Sequence, residues 1–367
     1  MKHEPFEALH DTARRDFASD NYAGMHPRVV EALAAANGGH QGAYGADDYT
    51  HRLQEVVRGH FGDDAIAYPV FNGTGANVLA LQSMLPRWGA VIAATTAHIH
   101  VDEGGAPERT GGLKLLTVET EDGKLTPELI DREAWGFGDE HRAQAGVVSI
   151  TQSSELGTLY TPDEIAAIAE HSHRLGLKVH LDGARLSNAA AALEVPLRAI
   201  TTDAGVDAIS LGGTKNGAML AEAVVALTPE ACAGLGFSRK FLMQLTSKMR
   251  FVSAQLLALY DGELWRENAT QANAAARRLR AGIEAEQARG ALGEVAFTQP
   301  TQVNAVFATL PADVANRLRE SYRFYDWDEA RGEVRWMCSF DTRDEDVDAF
   351  VAALVAASRR GGETGSA

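Results

Sequence analysis

Short apolar runs of strand length alternate along much of the chain with segments of helical periodicity. The runs that we interpret as strands are Ile66–Phe71, Ala90–Thr95, Lys114–Val118, Gly146–Thr151, Leu177–Leu181, Val206–Leu211 and Ala223–Leu227. Helical patterns lie between several of these runs, at Gly75–Leu85, Pro162–Leu175 and Leu186–Leu193. Because strands that alternate with helices are typical of parallel sheets, the pattern predicts an α/β fold with a mostly parallel central sheet and helices on both faces.

The pattern changes in the last third of the chain. A long helical pattern covers Phe241–Tyr260, and helices continue over Leu264–Ala285. Strand-like runs and a final helix then follow, at Val303–Ala308, Val334–Ser339 and Glu345–Ala357. This arrangement predicts a smaller α+β C-terminal domain rather than more strand–helix–strand units.

The domain boundaries follow from this change. We predict a large domain over residues 1–255, which includes an N-terminal arm, a small C-terminal domain over 256–360 and a disordered tail over 361–367. The length of 367 residues agrees with two domains, since single cores tend to divide above roughly 250–300 residues. We expect the N-terminal arm to pack on the small domain.

The charge balance excludes some classes of protein. The chain carries 50 acidic and 34 basic residues, which gives a formal net charge of −16. Such a chain is a poor partner for nucleic acids or anionic membranes. A small anionic substrate would need a local positive pocket to overcome the field of the whole molecule.

Three further features of composition indicate a soluble, cytoplasmic protein. The two cysteines, Cys232 and Cys338, form no C-x-x-C motif, so we expect two reduced thiols and neither a disulfide framework nor a cysteine zinc site. The first residues lack the apolar segment of a signal peptide. No uncharged apolar run approaches the length of roughly 20 residues that spans a bilayer.

A lysine and an aspartate lie at the ends of two predicted strands. Lys215, in Ser-Leu-Gly-Gly-Thr-Lys-Asn-Gly, lies where open α/β sheets bind ligands, although a solvated loop lysine is equally compatible with this position. Asp182, in His-Leu-Asp-Gly-Ala-Arg, could accept a protonated ring nitrogen, and it could equally be an ordinary helix N-cap. Pyridoxal phosphate (PLP) requires such an aspartate, because its protonated ring is the electron sink of the reaction.

A third segment, Phe71–Asn77, joins a strand to a helix through Asn-Gly-Thr-Gly. Free backbone N–H groups and the positive end of the helix suit a phosphate group there. The Gly-Thr-Gly turn is weak evidence by itself, since such turns are frequent. Its order along the chain, ahead of Asp182 and Lys215, is the order that a PLP site on a doubly wound sheet requires.

A metal site is the alternative for the stretch from Thr96 to Glu103. His98 and His100 would share one face if this segment were a strand, with Asp102 and Glu103 beside them. We predict no metal there, because a third ligand of zinc type is not evident and no H-E-x-x-H motif occurs. A metal-dependent enzyme stays the rival hypothesis for these residues.

The sequence resembles the low-specificity L-threonine aldolases, PLP enzymes of the aspartate-aminotransferase-like fold group. The matching motifs run through almost the whole chain, at Phe17–Tyr22, Ala43–Gly45, Phe71–Asn77, Thr96–His98, Gly105–Pro107, Thr151–Gln152, His180–Asn188, Gly212–Gly217, Ser247–Phe251 and Arg335–Ser339. The set is specific for the family and less specific for one substrate. The resemblance implies cleavage of L-threonine or L-allo-threonine to glycine and acetaldehyde through a lysine Schiff base.

The resemblance also implies a role for each matching residue. Lys215 would form the internal aldimine, Asp182 would bind the pyridine nitrogen, and His98 would stack on the ring. The residues implied for the phosphate are Gly73, Thr74 and Gly75, with Arg250 of a neighbouring subunit. The residues implied for the substrate are Ser19, Tyr44, Arg185 and Arg335, with Arg185 also close to the cofactor and Tyr44 supplied by the partner chain. The family forms dimers or tetramers with sites at the interface.

The sequence departs from the family at one position. Many members carry a histidine in the segment where this chain has Ser153-Ser-Glu155-Leu-Gly157, and Glu155 takes its place. The base near the β-hydroxyl group is therefore His98 or Glu155, and the preference between threonine and allo-threonine stays open. The alternatives that keep the cofactor are an aldolase for bulky substrates such as phenylserine, a β-eliminating lyase and a PLP-binding protein without turnover.

Overall fold

The computed structural model describes residues 7–231 and 233–359. The tail predicted to be disordered and Cys232 lie outside the described residues, whereas Cys338 is a free thiol buried in an apolar cluster. Within the described ranges, no helix is long and apolar enough to cross a membrane.

The larger of two sheets has seven strands in the order β1-β7-β6-β5-β4-β2-β3. Its strands are β1 (Ile66–Val70), β2 (Gly89–Ala94), β3 (Lys114–Val118), β4 (Gln144–Thr151), β5 (Lys178–Gly183), β6 (Ala208–Gly212) and β7 (Glu222–Ala226). All neighbours pair in parallel except β7, which is antiparallel to both β1 and β6. The mostly parallel sheet predicted from the alternating pattern is confirmed.

Helices cover both faces of this sheet. They are α1 (Pro27–Ala36), α2 (Asp48–Phe61), α3 (Gly73–Met84), α4 (His98–Val101), α5 (Ala106–Arg109), α6 (Pro127–Ile130), α7 (Pro162–Arg174), α8 (Leu186–Leu193), α9 (Leu235–Phe241) and α10 (Arg250–Tyr260). One apolar cluster lies under α2, α7, α8 and α10, and another lies under α3 and α9. Every residue of β2, β6 and β7 is buried, which is why these strands read as continuous apolar runs.

The second sheet has four strands in the order β10-β11-β9-β8, and its pairs are antiparallel. Its elements are α11 (Leu264–Ala288), β8 (Ala296–Phe297), β9 (Ala305–Thr309), α12 (Ala312–Arg319), β10 (Tyr325–Asp328), β11 (Glu333–Met337) and α13 (Asp344–Arg359). A separate apolar cluster fills the space between this sheet, α11 and α13. The small antiparallel C-terminal sheet agrees with the predicted α+β layer, while the boundary near residue 255 stays a prediction.

The N-terminal segment lies against this second sheet. The N–H group of Phe17 donates to the carbonyl of Arg323, and the N–H group of Met337 donates to the carbonyl of Phe17. The Phe17 ring is fully buried, with its centroid 4.3 Å from that of Phe350. These contacts carry the chain from the second sheet towards the ends of the large sheet.

One local prediction was wrong. The pattern over Phe241–Tyr260 predicted one helix, but α9 ends at Phe241 and α10 begins only at Arg250. Between them Gln244 is buried against α3, where its Oε1 accepts from the N–H group of Phe71 at 3.4 Å. This long-range contact overrides the helical pattern. The segment with His98 is the short helix α4 rather than a strand, so the conditional argument for a shared face with His100 does not apply.

Candidate active site

A pocket lies at the carboxyl ends of the central strands, next to the N-terminus of α3. Its lining residues are Gly73, Asn77, His98, Glu103, Thr151, Ser153, Glu155, Asp182, Ala184, Arg185 and Lys215. Parallel strands bring their carboxyl ends to one edge of a sheet, and this edge is where open α/β sheets bind ligands. Six residues singled out from the sequence therefore converge, namely Gly73, His98, Glu155, Asp182, Arg185 and Lys215.

Lys215 lies on a 3-10 turn, Thr214–Asn216, directly after β6. Asn216 and Asn268 anchor the turn, because Asn216 Nδ2 donates to the carbonyl of Trp265 at 2.9 Å and Asn268 Nδ2 donates to the carbonyl of Asn216 at 2.8 Å. In the described chain no hydrogen bond or ion pair holds Lys215 Nζ. Burial lowers the pKa of Lys215, and the charge of Arg185 lowers it further. The turn thus presents an amine that gives up its proton more readily than an exposed lysine.

Asp182 is the next-to-last residue of strand β5 and is buried, with two hydrogen bonds that fix its carboxylate. Its Oδ1 accepts from the N–H group of Ala184 at 3.0 Å, and its Oδ2 accepts from Asn77 Nδ2 at 2.8 Å. Asp182 is not the N-cap of α8, since Arg185 occupies that position without a side-chain cap. The fixed carboxylate therefore faces the pocket rather than a helix end.

Asn77 and Glu103 join Asp182 to His98. Asn77 Nδ2 also donates to Glu103 Oε1 at 2.9 Å, and the same oxygen lies 2.9 Å from His98 Nδ1. The Glu103 side chain is fully buried, whereas the His98 ring keeps 36% of its surface exposed. The hydrogen bond to Glu103 raises the pKa of His98, assisted by the charge of Asp182 and opposed by burial and by Lys215. The sequence analysis named Asn77 only as part of a motif and Glu103 only as a metal candidate. Their linking role was missed, because no spacing rule predicts this chain of contacts.

Glu155 lies beside His98 and has a perturbed acidity. Its Oε1 accepts from the backbone N–H group of His98 at 2.9 Å, and its Oε2 is buried without a partner among the residues described. Burial raises the pKa of Glu155 to about 7, and the charge of Asp182 contributes in the same direction. A carboxyl group that titrates near neutrality can either take up or release a proton at working pH.

Arg185 makes a contact that the sequence did not reveal. Its Nε and Nη2 donate to the two carboxylate oxygens of Asp20 at 2.8 and 3.0 Å. Asn304 Nδ2 donates to the same carboxylate at 3.1 Å. Burial opposes ionisation of Asp20, but Arg185 and Lys215 outweigh it and lower its pKa. Arg185 is thus already paired through one edge of its guanidinium, and the hydroxyl of Ser19 accepts from the N–H group of Asn21 at 3.1 Å.

Arg335 is the opposite case, because no described carboxylate forms an ion pair with its guanidinium, although the charges of Asp20 and Asp102 act on it. It lies on β11, opposite Tyr325 of β10, and its Cζ is 5.1 Å from the ring centroid of Trp327. Its Nε is buried and has no acceptor within the described ranges. Burial and the nearby charge of Arg185 lower the pKa of Arg335 to about 10. The pair of arginines forms the local positive region that an anionic substrate needs in this acidic chain.

The predicted phosphate turn is the N-terminus of α3. Asn72 Oδ1 accepts from the N–H group of Gly75 at 2.6 Å, so the cap satisfies one amide of the turn. Thr74 and Gly75 line a neighbouring groove together with Gln244. A Cβ atom at Gly75 would lie 2.3 Å from the end of the Gln244 side chain, so Gln244 would have to move to admit a side chain there. Gln244 was missed because it lies far away in the sequence.

Tyr44 and Arg250 are two of the predicted residues that do not line the pocket of the single chain. Tyr44 is 51% exposed, and its N–H group donates to the carbonyl of Ser247 at 2.9 Å. Arg250 opens α10, and its Nη1 donates to the carbonyl of Gly39 at 3.3 Å. Both residues therefore belong to one surface region of this chain, away from its own Lys215.

The residues of the rival metal hypothesis do not form one group. His98 and Glu103 are paired with each other at the pocket, whereas His100 is exposed. Within 7–231 and 233–359 no cluster of three or more His, Cys, Asp or Glu side chains is arranged to hold a metal ion.

Comparison with known proteins identifies the class to which this fold and pocket belong. The family model described as beta-eliminating lyase matches residues 16–312, and the chain is a member of this lyase family. Within it the chain belongs to the low-specificity L-threonine aldolases. It is 39% identical to the low-specificity L-threonine aldolase of Pseudomonas sp. over 342 residues, which cover 93% of this chain and 97% of that protein.

Solved structures agree with this assignment. The threonine aldolase of Leishmania major is 28% identical, with a TM-score of 0.86 over 92% of this chain and 98% of that chain. A structure of SPT determined with PLP has a TM-score of 0.70 over 94% of this chain and 87% of that chain. At 16% identity the latter comparison concerns the fold alone, which is the predicted aspartate-aminotransferase-like fold.

Proposed function

We propose that this protein binds PLP and cleaves the Cα–Cβ bond of L-threonine and L-allo-threonine, giving glycine and acetaldehyde. The observation that carries the proposal is the convergence of the Lys215 amine, the fixed Asp182 carboxylate and the Arg185 guanidinium in one pocket at the end of the sheet. The names of the relatives from Pseudomonas sp. and Leishmania major support the choice of substrate.

The residues of the pocket fit the cofactor. Lys215 offers an amine for its carbonyl group, Asp182 offers a carboxylate for its ring nitrogen, and the partly exposed His98 ring offers a surface for stacking. The N-terminus of α3 at Gly73 and Thr74 suits its phosphate. When bound, PLP supplies the electron sink that stabilises negative charge at Cα. Asn77 and Glu103 keep Asp182 and His98 in place through hydrogen bonds.

The substrate carboxylate would bind to Arg335, with Arg185 beside it. Arginine holds a carboxylate through two parallel hydrogen bonds, which fixes direction as well as distance. Arg185 is itself held by Asp20, so we assign it the second position and Arg335 the main one. A carboxylate fixed in this way would set the orientation of the bonds at Cα, and this orientation would select the bond that breaks.

Glu155 would take the proton from the β-hydroxyl group. Its Oε2 has no partner among the described residues, and its pKa of about 7 suits a base at neutral pH. His98 Nδ1 is already held by Glu103 Oε1 at 2.9 Å, which makes His98 the less available group. We therefore prefer Glu155 over His98, two groups that the sequence left as alternatives.

A product assay separates the aldolase from its rivals. Purified protein with PLP is incubated with L-threonine, L-allo-threonine and phenylserine, and aldehyde, glycine, 2-oxo acid and ammonia are measured. The proposal predicts acetaldehyde and glycine in equal amounts from both threonine isomers. A 2-oxo acid with ammonia and no aldehyde would establish β-elimination, and turnover of phenylserine alone would establish an aldolase for bulky substrates.

The Lys215→Ala variant tests the role of the lysine. We expect loss of the visible absorption band of bound PLP and of nearly all turnover. The matched control is Lys178→Ala, because Lys178 is a partly buried lysine at the start of β5, far from the carboxyl ends of the strands. Normal turnover in Lys215→Ala would remove the central assignment.

We further propose that the active protein is a homodimer or homotetramer with Tyr44 and Arg250 completing the partner's site. Lys240 of α9 lies over the Tyr44 ring, with Nζ 5.1 Å from its centroid, and large apolar side chains are exposed on α9 and just after it, at Phe237, Phe241 and Met243. Mixing inactive Lys215→Ala protein with Arg250→Ala protein should restore activity, since a hybrid dimer keeps one intact site. Absence of restored activity, with mixed oligomers detected by native mass spectrometry, would contradict the shared site.

A cytoplasmic location stays a prediction.

A further inference from the structure

Glu222 is a buried carboxyl group that the proposed mechanism does not use. It is the first residue of β7 and is 7% exposed. In the strand register it lies opposite Gly212, the last residue of β6, and opposite Val70 of β1. Glu222 therefore lies beside the point where the chain leaves β6 for the turn that carries Lys215.

The Glu222 carboxylate binds the first two amides of that turn. Its Oε2 accepts from the N–H group of Gly213 at 3.2 Å, and its Oε1 accepts from the N–H group of Thr214 at 3.3 Å. Thr214 Oγ1 in return accepts from the N–H group of Ala221 at 3.2 Å. A Cβ atom at Gly213 would lie 2.5 Å from the carbonyl oxygen of Ala221, so the turn and the start of β7 are in close contact.

The charged groups around this contact favour interaction between Glu222 and Lys215. Burial raises the pKa of Glu222 to about 7, while its bonds to the turn and the charge of Lys215 act in the opposite direction. Glu222, Asp20 and Asp182 all act to keep the proton on Lys215, against burial and Arg185. The Tyr260 hydroxyl of α10 also interacts with Glu222, and it donates to the carbonyl of Gly212 at 2.6 Å.

We infer that Glu222 is a positioning residue, whose carboxylate fixes the backbone of the Lys215 turn and places a negative charge beside that turn. It touches neither substrate nor cofactor and acts through Lys215. The inference deepens the proposed function, on which the importance of Lys215 rests. Glu222 would act through two properties of its carboxylate, which different substitutions remove. One is its negative charge, and the other is its reach, meaning a side chain long enough to accept from both the Gly213 and Thr214 amides.

The charge is tested by Glu222→Gln in the full chain freed of bound PLP. The rate of acylation of Lys215 is measured from pH 7.5 to 11 by peptide mass spectrometry. Because only the unprotonated amine reacts, the midpoint of this pH dependence reports the proton equilibrium of Lys215. Loss of a nearby opposite charge should move the midpoint to lower pH by about one unit, so Lys215 is acylated about tenfold faster at a fixed pH below the midpoint. Glu222→Asp keeps the charge and should move the midpoint much less.

The reach is tested by hydrogen exchange of the peptide that covers residues 211–220. Both Glu222→Gln and Glu222→Asp should speed exchange of the two amides of Gly213 and Thr214, because neither side chain can accept both bonds as an ionised glutamate does. The control is Glu333→Gln, which changes another buried glutamate at the first position of a strand, in the other sheet. It should change neither the Lys215 midpoint nor this exchange.

Two outcomes would overturn the inference. An unchanged Lys215 midpoint in folded Glu222→Gln protein removes the charge effect, and unchanged exchange in both variants removes the effect on the turn. Folding is checked by circular dichroism and thermal unfolding. Protection of wild-type Lys215 from acylation by added PLP tests the proposed function separately, so absent protection with a shifted midpoint would reject the cofactor role and retain the role of Glu222.

Discussion

In the substrate-free protein, the Arg335 guanidinium should lower the free energy of unfolding. The same guanidinium should bind the carboxylate when the substrate is present. The pKa of its guanidinium is lowered to about 10 by burial and by Arg185, and its Nε has no acceptor in the described chain. A displacement of this size corresponds to about 3 kcal/mol of unfavourable free energy for the charged form. The contact with the Trp327 ring returns about 1–2 kcal/mol. Replacement by Met keeps the apolar stem and should therefore stabilise the free protein by about 1–2 kcal/mol.

The same substitution should weaken substrate binding. Hydrogen bonds to a charged group contribute about 1.5–3 kcal/mol, and the carboxylate loses this contribution when the guanidinium is removed. The expected loss in kcat/KM is about 10- to 150-fold, most of it as a rise in KM. Stability and activity thus change in opposite directions at one residue, which is a specific consequence of an unpaired buried charge.

The assay for Arg335→Met combines urea unfolding without substrate with kinetics of aldehyde release from L-threonine. The matched control is Arg280→Met, because Arg280 also lies over an aromatic ring, that of Phe297, but is paired with Glu284 at 2.8 Å. The control should lose stability and keep its KM. If Arg335→Met loses stability as the control does, the guanidinium is not an unsatisfied charge. If its KM is unchanged, Arg335 does not bind the carboxylate.

Three further predictions concern other parts of the molecule. Glu155→Gln should lower kcat by about 10²–10⁴ and remove the loss of activity below pH about 7, as measured by pH–rate profiles. Folding raises the pKa of Glu155, so its contribution to the free energy of unfolding is complete below its unfolded pKa and is lost as pH rises through about 7. Relative to wild type, Glu155→Gln should therefore be more stable at pH 8 but not at pH 4. Asp20→Asn should cost about 3–5 kcal/mol in urea unfolding, since it leaves Arg185 buried without its anion, whereas Glu170→Gln in the exposed pair with Arg174 should cost less than about 1 kcal/mol. Gly212→Ala should lower the free energy of unfolding by about 1–3 kcal/mol, because its Cβ would lie 2.6 Å from the carbonyl oxygen of Ala184. Equal stability of wild type and variant in urea unfolding would contradict the close approach of β6 to the backbone at Ala184.

The sequence by itself determined the elements of the large sheet and the residues at the strand ends. Buried strands are continuous apolar runs, and the predicted runs agree with β1 to β7 apart from shifts of one or two residues at their ends. Asp182 directly follows the run that ends at Leu181, and Lys215 follows shortly after the run that ends at Leu211. Their meeting at one edge could therefore be predicted, because adjacent parallel strands end on the same side.

Only the tertiary structure decided how these side chains are held and which are left unpaired. Asp20 pairs with Arg185 from 165 positions away, and Asn77 reaches Asp182 across 105 positions. Periodicity records which side of an element is buried, but it does not record which distant polar group will satisfy a buried one. Contacts of this kind form only when separate elements pack together. They pair Arg185 with Asp20, they leave Arg335 without an ion-pair partner among the described residues, and they place Gln244 where the helical pattern breaks.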